Sequence, residues 1–415
     1  MPATHALLEL LGEVALLLWG VHMVRTGVLR AYGGELRRTL GSALRNRLLA
    51  CVAGTGVTLL LQSSTATAFI TTSFLASGAI GLVPALAVML GANVGTALVV
   101  VALSFDVTLL FPLLLLAGLV LFRATTGSRP RNLGRASIGL GLMLLALHLL
   151  VETVAPAGIS PAARELVAAA TREPVPVLLA TTLVAWAMHS SVAAVLVTAS
   201  LAGAGLVGPT AALAMVLGAN LGSALNPLAE ALGGERLALR LPVGNLANRL
   251  VGCALTLPFL GALPALLGQA APDPGRQVAL FHLLLNLGLA LLFLVPLPAT
   301  AKALERLLPD RLRPDDPGTP RYLDPASLAD PAVALANAAR EVLRMADVVE
   351  AMLRGAREMV RRDDLRRLAE LRREDDVLDR LHRAVKAFLA ELGRQPLEEV
   401  QLQRLSHILA AALNL

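Results

Sequence analysis

Gln62-Ser63-Ser64-Thr65-Ala66-Thr67 is a run of small hydroxyl residues and one amide between apolar stretches, and its reading decides the fold. A shorter version, His189-Ser190-Ser191-Val192-Ala193, follows 127 residues later (189 − 62). Each is trailed by a second polar insert, Gly91-Ala92-Asn93-Val94-Gly95-Thr96 and Gly218-Ala219-Asn220-Leu221-Gly222-Ser223. The spacing is 29 in both copies (91 − 62 and 218 − 189). Two matched pairs at one offset mark an internal duplication.

The surroundings of these inserts point to a membrane. The chain has 415 residues, 56% of them hydrophobic, and a clearly positive mean hydropathy. That composition reads as a polytopic membrane protein rather than a large soluble domain. Residues 1 to 301 carry 16 Lys+Arg against 10 Asp+Glu, and residues 302 to 415 carry 20 of each, so the net charge of +6 belongs to the apolar part. The basic residues fall in short loops between apolar runs, the pattern that fixes topology, and nucleic acid is excluded as a partner. Cys51 and Cys253 lie in apolar runs without metal-type spacing and read as small buried side chains. The first apolar run continues through Trp19 to Val28 without an identifiable small-residue cleavage site, and is expected to be a retained span.

A transmembrane helix needs ~20 mostly apolar residues. Ala6 to Leu29 supplies one. Leu48 to Leu61 and Ala66 to Leu75 are each short of comfortable spanning length and flank the polar cluster, which predicts a helical hairpin with Gln62-Ser63-Ser64-Thr65 near its tip. Gly81 to Ser104 is expected to break at Gly91-Ala92-Asn93-Val94-Gly95, and Val107 to Phe122 and Ala136 to Val154 follow. The second half repeats the order: Val175 to Met188, the His189 cluster, Val192 to Leu201, and Gly208 to Leu232 interrupted at Gly218 to Gly222. Leu241 to Leu260 and Gln277 to Leu297 close the membrane part. Loops 25 to 47, 123 to 135 and 236 to 249 hold thirteen arginines, and loops 156 to 174 and 262 to 276 hold three. The rich loops are expected on the cytoplasmic side, with the N-terminus outside and the tail inside. The two hairpins then start from opposite sides, an inverted-topology repeat.

The expected fold is an all-α polytopic membrane protein. It has two inverted-topology repeats with re-entrant helical hairpins and broken helices, plus a soluble C-terminal helical bundle. The boundaries read as a transport domain over 1–301 (repeats about 30–154 and 156–300), a Pro-rich linker over 302–331, and a cytoplasmic helical domain over 332–415. In that tail Val342, Met345, Val349, Met352, Ala356 and Met359 recur at helical spacing, as do Leu371, Leu378, Leu381, Val385, Phe388 and Leu392. A third helix runs from after Pro396 to an uncapped apolar end, which suggests a bundle either cut short or completed by another copy of the chain, as in a homodimer.

Polar groups inside a span need partners, and one isolated Ser would read as interhelical glue. Consecutive hydroxyls face different directions around a helix and cannot all meet one neighbour. Half-helix N-termini suit an anion and half-helix C-termini a small hard cation. No Lys or Arg stands near either cluster in sequence, so the expectation is an anion held by hydroxyls, amides and N–H dipoles, with a bound cation supplying charge. Oxygen ligands match Na⁺. The physical reading is a sodium-coupled anion transporter, with phosphate, sulfate and carboxylate all open. Among other polar residues, Glu13, His22, Glu152, Glu230 and Arg249 lie in or near expected spans and are functional candidates by default, though most stand near span ends where an interfacial role is expected; His282 and Asn286 share a face of the last span and could line the cavity. Neither a nucleophile elbow nor a Walker A sequence is present, so enzymatic and ATP-driven readings drop out.

The doubled motif, Gln62-Ser63-Ser64-Thr65-Ala66-Thr67 and Ser190-Ser191 with their Gly-Ala-Asn inserts, resembles the sodium/phosphate cotransporter family, whose inverted repeats carry a QSS signature. The resemblance implies sodium-coupled phosphate transport across the cytoplasmic membrane and no cofactor beyond the coupling ion. It implies a substrate site of Gln62, Ser63, Ser64, Thr65, Ser190 and Ser191 with Asn93 and Asn220 close by. Sodium ligands are expected from Gln62, Ser64, Thr67, Thr96, His189, Ser191 and Ser223. The sequence departs from the motif where His189 replaces the second glutamine. The tail, around Arg373-Glu374-Asp375-Asp376-Val377-Leu378, resembles a PhoU-like domain, at about half its length. Competing readings are a membrane-anchored phosphate sensor and the same architecture moving another oxyanion.

Overall fold

The structure is a computed structural model that describes residues 3–42, 46–76, 80–105, 110–125, 127–154, 165, 167, 169–232, 236–309, 317–324, 327–328, 330–362, 368–395 and 397–415. No strand occurs among these residues. The chain divides into two compact units, Met1–Asp310 and Arg311–Leu415.

The first unit begins with a long helix, α1 (Ala3–Ser42), then α2 (Arg47–Leu61), α3 (Ser64–Ala76), α4 (Leu82–Leu103), α5 (Leu110–Ala124) and α6 (Ser128–Val154). It continues with α7 (Pro174–Met188), α8 (Ser191–Gly203), α9 (Pro209–Ala231), α10 (Arg236–Thr256), α11 (Leu263–Ala270), α12 (Pro274–Leu294) and α13 (Leu297–Leu307). Local chemistry sets the ends. Asn46 accepts from Leu48 N at 2.9 Å to start α2, and Asp273 accepts from Arg276 N at 2.7 Å to start α12 with Pro274 following. Among the described residues five helices are long and apolar enough to cross a membrane, or six if α10 and α11, bent by 95° at their break, count as one span.

α4 and α9 form the interior. Of their most apolar windows 72% and 83% is buried, against 39% or less for α1, α6 and α12. α2 packs along α4 and α7 packs along α9, while α12 touches both α4 and α8. The pairs are held by glycine. A Cβ on Gly91 would overlap the backbone carbonyl of Cys51, and one on Gly95 would lie 2.6 Å from Thr55 O. The same two contacts recur 127 positions on, where a Cβ on Gly218 would overlap Leu178 O and one on Gly222 would overlap Thr182 O.

This corrects the expectation that Gly91 to Gly95 and Gly218 to Gly222 interrupt their spans. α4 and α9 run through both inserts without a break. The glycines remove side chains where two backbones meet and keep helical dihedrals, a role that favours close association of apolar helices. The breaks occur instead at Gln62–Ser63 and His189–Ser190. At the first, Thr58 and Thr67 hydroxyls lie 2.8 Å apart. Nine residues of continuous helix would separate them by ~13 Å along the axis, so the chain doubles back there.

The second unit packs α14 (Pro331–Arg362), α15 (Leu368–Leu392) and α16 (Glu399–Asn414) around Leu335, Val342, Met345, Leu381, Val385, Leu392 and Ile408. The expected seam is tight as far as Met345 and half-buried from Val349 to Met359. Fully buried Glu341 accepts from Arg321 N and Tyr322 N at 2.9 Å each, and Arg344 donates to the carbonyls of Pro317 and Thr319. The segment before α14 is thereby bound to it. Among the described residues no group of three or more His, Cys, Asp or Glu side chains is placed to hold a metal ion.

The glycine contacts predict opposite effects from one substitution type. Gly91→Ala should destabilise the purified full chain by ~1–3 kcal/mol through overpacking. Gly56→Ala, where nothing lies within 4 Å, should be neutral or stabilise by up to ~1 kcal/mol. Thermal melting in detergent reads both; equal losses would show that close approach is not what Gly91 provides.

Candidate functional site

The two turns are built alike. α2 ends on Gln62 at φ 51, ψ 27 and α7 ends on His189 at φ 53, ψ 23, both left-handed. They are the only non-glycine residues with positive φ among those described. Neither side chain favours that region, and such conformations cost of order 1–3 kcal/mol where the surroundings impose them. Each is followed by a serine that caps the next helix. Ser63 Oγ accepts from Ala66 N at 3.2 Å, and Ser190 Oγ accepts from Ala193 N at 3.1 Å. The N–H groups of the first helical residues, Ser64 and Thr65 in one turn and Ser191 and Val192 in the other, have no acceptor within their helices. They carry the positive ends of the dipoles of α3 and α8.

Both turns open on one cavity of about 200 Å³, several times the ~30 Å³ share of a water molecule. It is lined by Gln62, Ser63, Ser64 and Thr65 from the first turn, and by Met188, His189, Ser190, Ser191 and Val192 from the second. Thr96 of α4 and Leu18, Val21, His22 and Arg25 of α1 complete the wall. The Oε1 of Gln62 is buried and has no hydrogen-bond partner, so an oxygen acceptor is held ready for a cation or a donor. His189 Nδ1 lies 3.1 Å from Ala187 O. A carbonyl only accepts, so Nδ1 carries the proton and Nε2 is left as the free ring nitrogen.

Eight of the residues singled out in the sequence thus share one wall: Gln62, Ser63, Ser64, Thr65, Thr96, His189, Ser190 and Ser191. Four others lie outside it. Thr67 is fully buried and bonds Thr58 and the Ser63 carbonyl, bracing the first turn. Asn93 donates to Asn245 Oδ1 at 3.0 Å. The Asn93 amide oxygen, the Asn220 carbonyl and the Ser223 hydroxyl all accept from Arg249.

No Arg is near either cluster in sequence, but the structure brings one beside them. Arg25 and His22 reach the cavity from α1, three residues apart on one helical face. Arg249 is 2% exposed and joins the two Gly-Ala-Asn helices from α10. The interfacial role expected of most charges in or near the spans does not hold for it, since it is interior. The remaining residues in that group divide. Glu13 is buried and accepts from Thr153 at 2.6 Å, whereas Glu152 and Glu230 are exposed. His282 and Asn286 are 1% exposed, off the cavity wall, and each keeps one buried polar atom without a partner. Sequence distance hid Arg25, since only the packing of α1 brings it beside a turn 37 residues on (62 − 25).

Apolar helices long enough to span a membrane, around a polar cavity formed where two half-length helices stop, define a multi-pass membrane protein that handles a small polar solute. A model of the family described as Na+/Pi-cotransporter matches the chain twice, over residues 16–152 and 156–294, and a PhoU-domain model matches residues 342–415. The chain belongs to the Na+/Pi-cotransporter family, and it is a transporter of phosphate-handling type rather than an enzyme. It is 39% identical over 409 residues to "Putative inorganic phosphate export protein YjbB" of Escherichia coli (strain K12), covering 99% of this chain and 75% of that protein. The protein of the same name from Salmonella typhimurium matches to the same extent. "Uncharacterized protein YqeW" of Bacillus subtilis is 27% identical over 292 residues, 69% of this chain and 94% of that protein. No solved structure matches the chain.

The strained turns predict a separation of stability from function. Gln62→Gly relieves the left-handed strain and should leave the melting temperature unchanged or raised. It should also abolish phosphate flux in reconstituted liposomes, because the amide oxygen is lost. Gln62→Ala keeps the strain, so it should melt below Gln62→Gly and lose flux equally. A Gly variant with full flux would remove Gln62 from the site.

Proposed function

We propose that the chain moves inorganic phosphate across the cytoplasmic membrane, coupled to sodium, by alternating access around the cavity between the Gln62 and His189 turns. One observation carries this reading: two left-handed turns of matched geometry, each followed by a serine-capped helix N-terminus, face the same small cavity. A tetrahedral anion there would accept from N–H groups and hydroxyls of Ser63, Ser64, Thr65, Ser190 and Ser191, with Arg25 adding a charged donor. Sodium would bind where α2 and α7 end, using their terminal carbonyls, Gln62 Oε1 and the hydroxyls of Ser64, Ser191 and Thr96. His189 offers a ring nitrogen where the first turn offers an amide oxygen, so the two cation positions differ in strength.

The duplication at one offset favours two halves of inverted topology that rock about the shared cavity. The N-terminus then lies outside and the tail in the cytoplasm, in keeping with the arginines clustered at 25–47 and 123–135, stretches expected as loops that the structure places largely within α1 and α6. Phosphate is favoured over other oxyanions by family membership and by the name of the Escherichia coli relative, which speaks of phosphate export.

Labelled phosphate flux through liposomes holding the full chain tests this. Flux should depend on sodium, survive excess sulfate, and be lost in Ser64→Ala and Ser191→Ala. Arg25→Gln should raise the half-saturating phosphate concentration about tenfold, the loss expected for one charged hydrogen bond of ~1.5 kcal/mol. Saturable phosphate binding without flux would overturn the transport reading in favour of a sensor.

A further inference from the structure

Arg249 is a buried charge that neither the cavity lining nor the helix packing accounts for. It sits within α10, 2% exposed. Its Nη1 donates to the Asn220 carbonyl and the Ser223 hydroxyl, and its Nη2 donates to the Asn93 amide oxygen. Its Nε is buried without a partner. Among the described residues no carboxylate pairs with it. A buried cation without a counter-ion costs several kcal/mol, and simple adhesion does not require that cost. Asn245, one turn earlier on the same face of α10, already bonds Asn93 at 3.0 Å with neutral groups.

The acceptors are informative as a set. One amide oxygen, one backbone carbonyl and one hydroxyl converge from α4 and α9, the two helices that carry the duplicated inserts. Neutral oxygens of these types form the ligand sets of small hard cations. The guanidinium stands where such an ion would sit. Asn93 is three residues from Thr96, on the same face of α4, and Thr96 lines the cavity. The charge is therefore about one helical turn, ~5 Å of rise, behind the wall of the anion site.

We propose that Arg249 is a tethered cation that fills the oxygen cage of Asn93, Asn220 and Ser223, so that this cage takes no sodium ion and the cavity gains a permanent positive charge. A tethered charge is not carried across the membrane. Each sodium ion it replaces removes one ion of coupling between phosphate movement and the sodium gradient. The inference rests on the reading of the cavity as a phosphate site for its consequence, and on the cage alone for its substance.

The test separates the two. Melting of the detergent-purified full chain in sodium chloride against equimolar potassium chloride reads cation binding directly. Arg249→Gln opens the cage, and its sodium-specific rise in melting temperature should exceed that of the unaltered chain by about 2 °C or more. Arg249→Lys keeps a cation and should match the unaltered chain. Equal sodium shifts in the Gln variant and the unaltered chain would overturn the proposal. Ser223→Ala provides the answer if the Gln variant has no cooperative melt. Its sodium shift should equal that of the unaltered chain, and a smaller shift would make Ser223 a sodium ligand and overturn the proposal. Labelled phosphate flux on the same proteins should show a steeper sodium dependence for Arg249→Gln. Absence of flux from the unaltered chain would sink the phosphate reading and leave the melting result to judge Arg249.

Discussion

A helix that stops inside an apolar layer leaves its last carbonyls and first N–H groups without partners, and no water is at hand to supply them. The structure meets that cost at two places only among the described breaks that face the cavity, Gln62–Ser63 and His189–Ser190. The arrangement around them follows from this. Each serine cap satisfies one N–H and leaves those before it directed toward the cavity. α4 and α9 remain continuous and glycine-faced, so that α2 and α7 pack closely enough to hold the two stops in register. The polar groups the fold does not satisfy within its helices are those a charged solute can use.

The two stops share a backbone and differ in support. Thr58 and Thr67 link the arms of the first turn through hydroxyls 2.8 Å apart, and Thr71 continues the chain by donating to Thr67 O at 2.7 Å. The positions 127 further on from Thr58 and Thr67 are Ala185 and Ala194, which have no hydroxyl to offer. The second turn therefore depends on packing and on its serine cap, and its left-handed residue is an imidazole held by Ala187 O. A cross-linked turn and a packed turn respond differently to the same ligand. The first turn is the stiffer of the two, and the second has fewer side-chain bonds holding it.

Much of this was legible because hydropathy and duplication are local signals. Gln62 and Ser64 stood out against their surroundings, and the offset of 127 pointed to His189 and Ser191 on the same wall before any contact was known. The glycines of the inserts were misread because Gly in an apolar helix has two uses, to break it and to let another helix approach, and sequence alone does not separate them. Only the overlap a Cβ would meet at Gly91 and Gly218 decides for approach. Arg25 and Arg249 were hidden for a related reason. A charge near the end of a hydrophobic run is normally an interfacial anchor, and whether it turns inward depends on which helix lies alongside. For Arg249 the signal was its neighbour: Asn245, four residues back, makes α10 polar along one buried face.

The inward arginines set the electrostatics of the cavity. A cavity of neutral hydroxyls would need its counter-charge delivered with the solute, and the free energy of that delivery would set both affinity and direction. Arg25 lies on the cavity wall and is half-buried, where solvent screens its charge. Arg249 is enclosed among oxygens that hold it from both central helices, so its charge is barely screened and stays in place. The two turns beside these charges are themselves unlike, one ending on the amide of Gln62 and the other on the imidazole of His189.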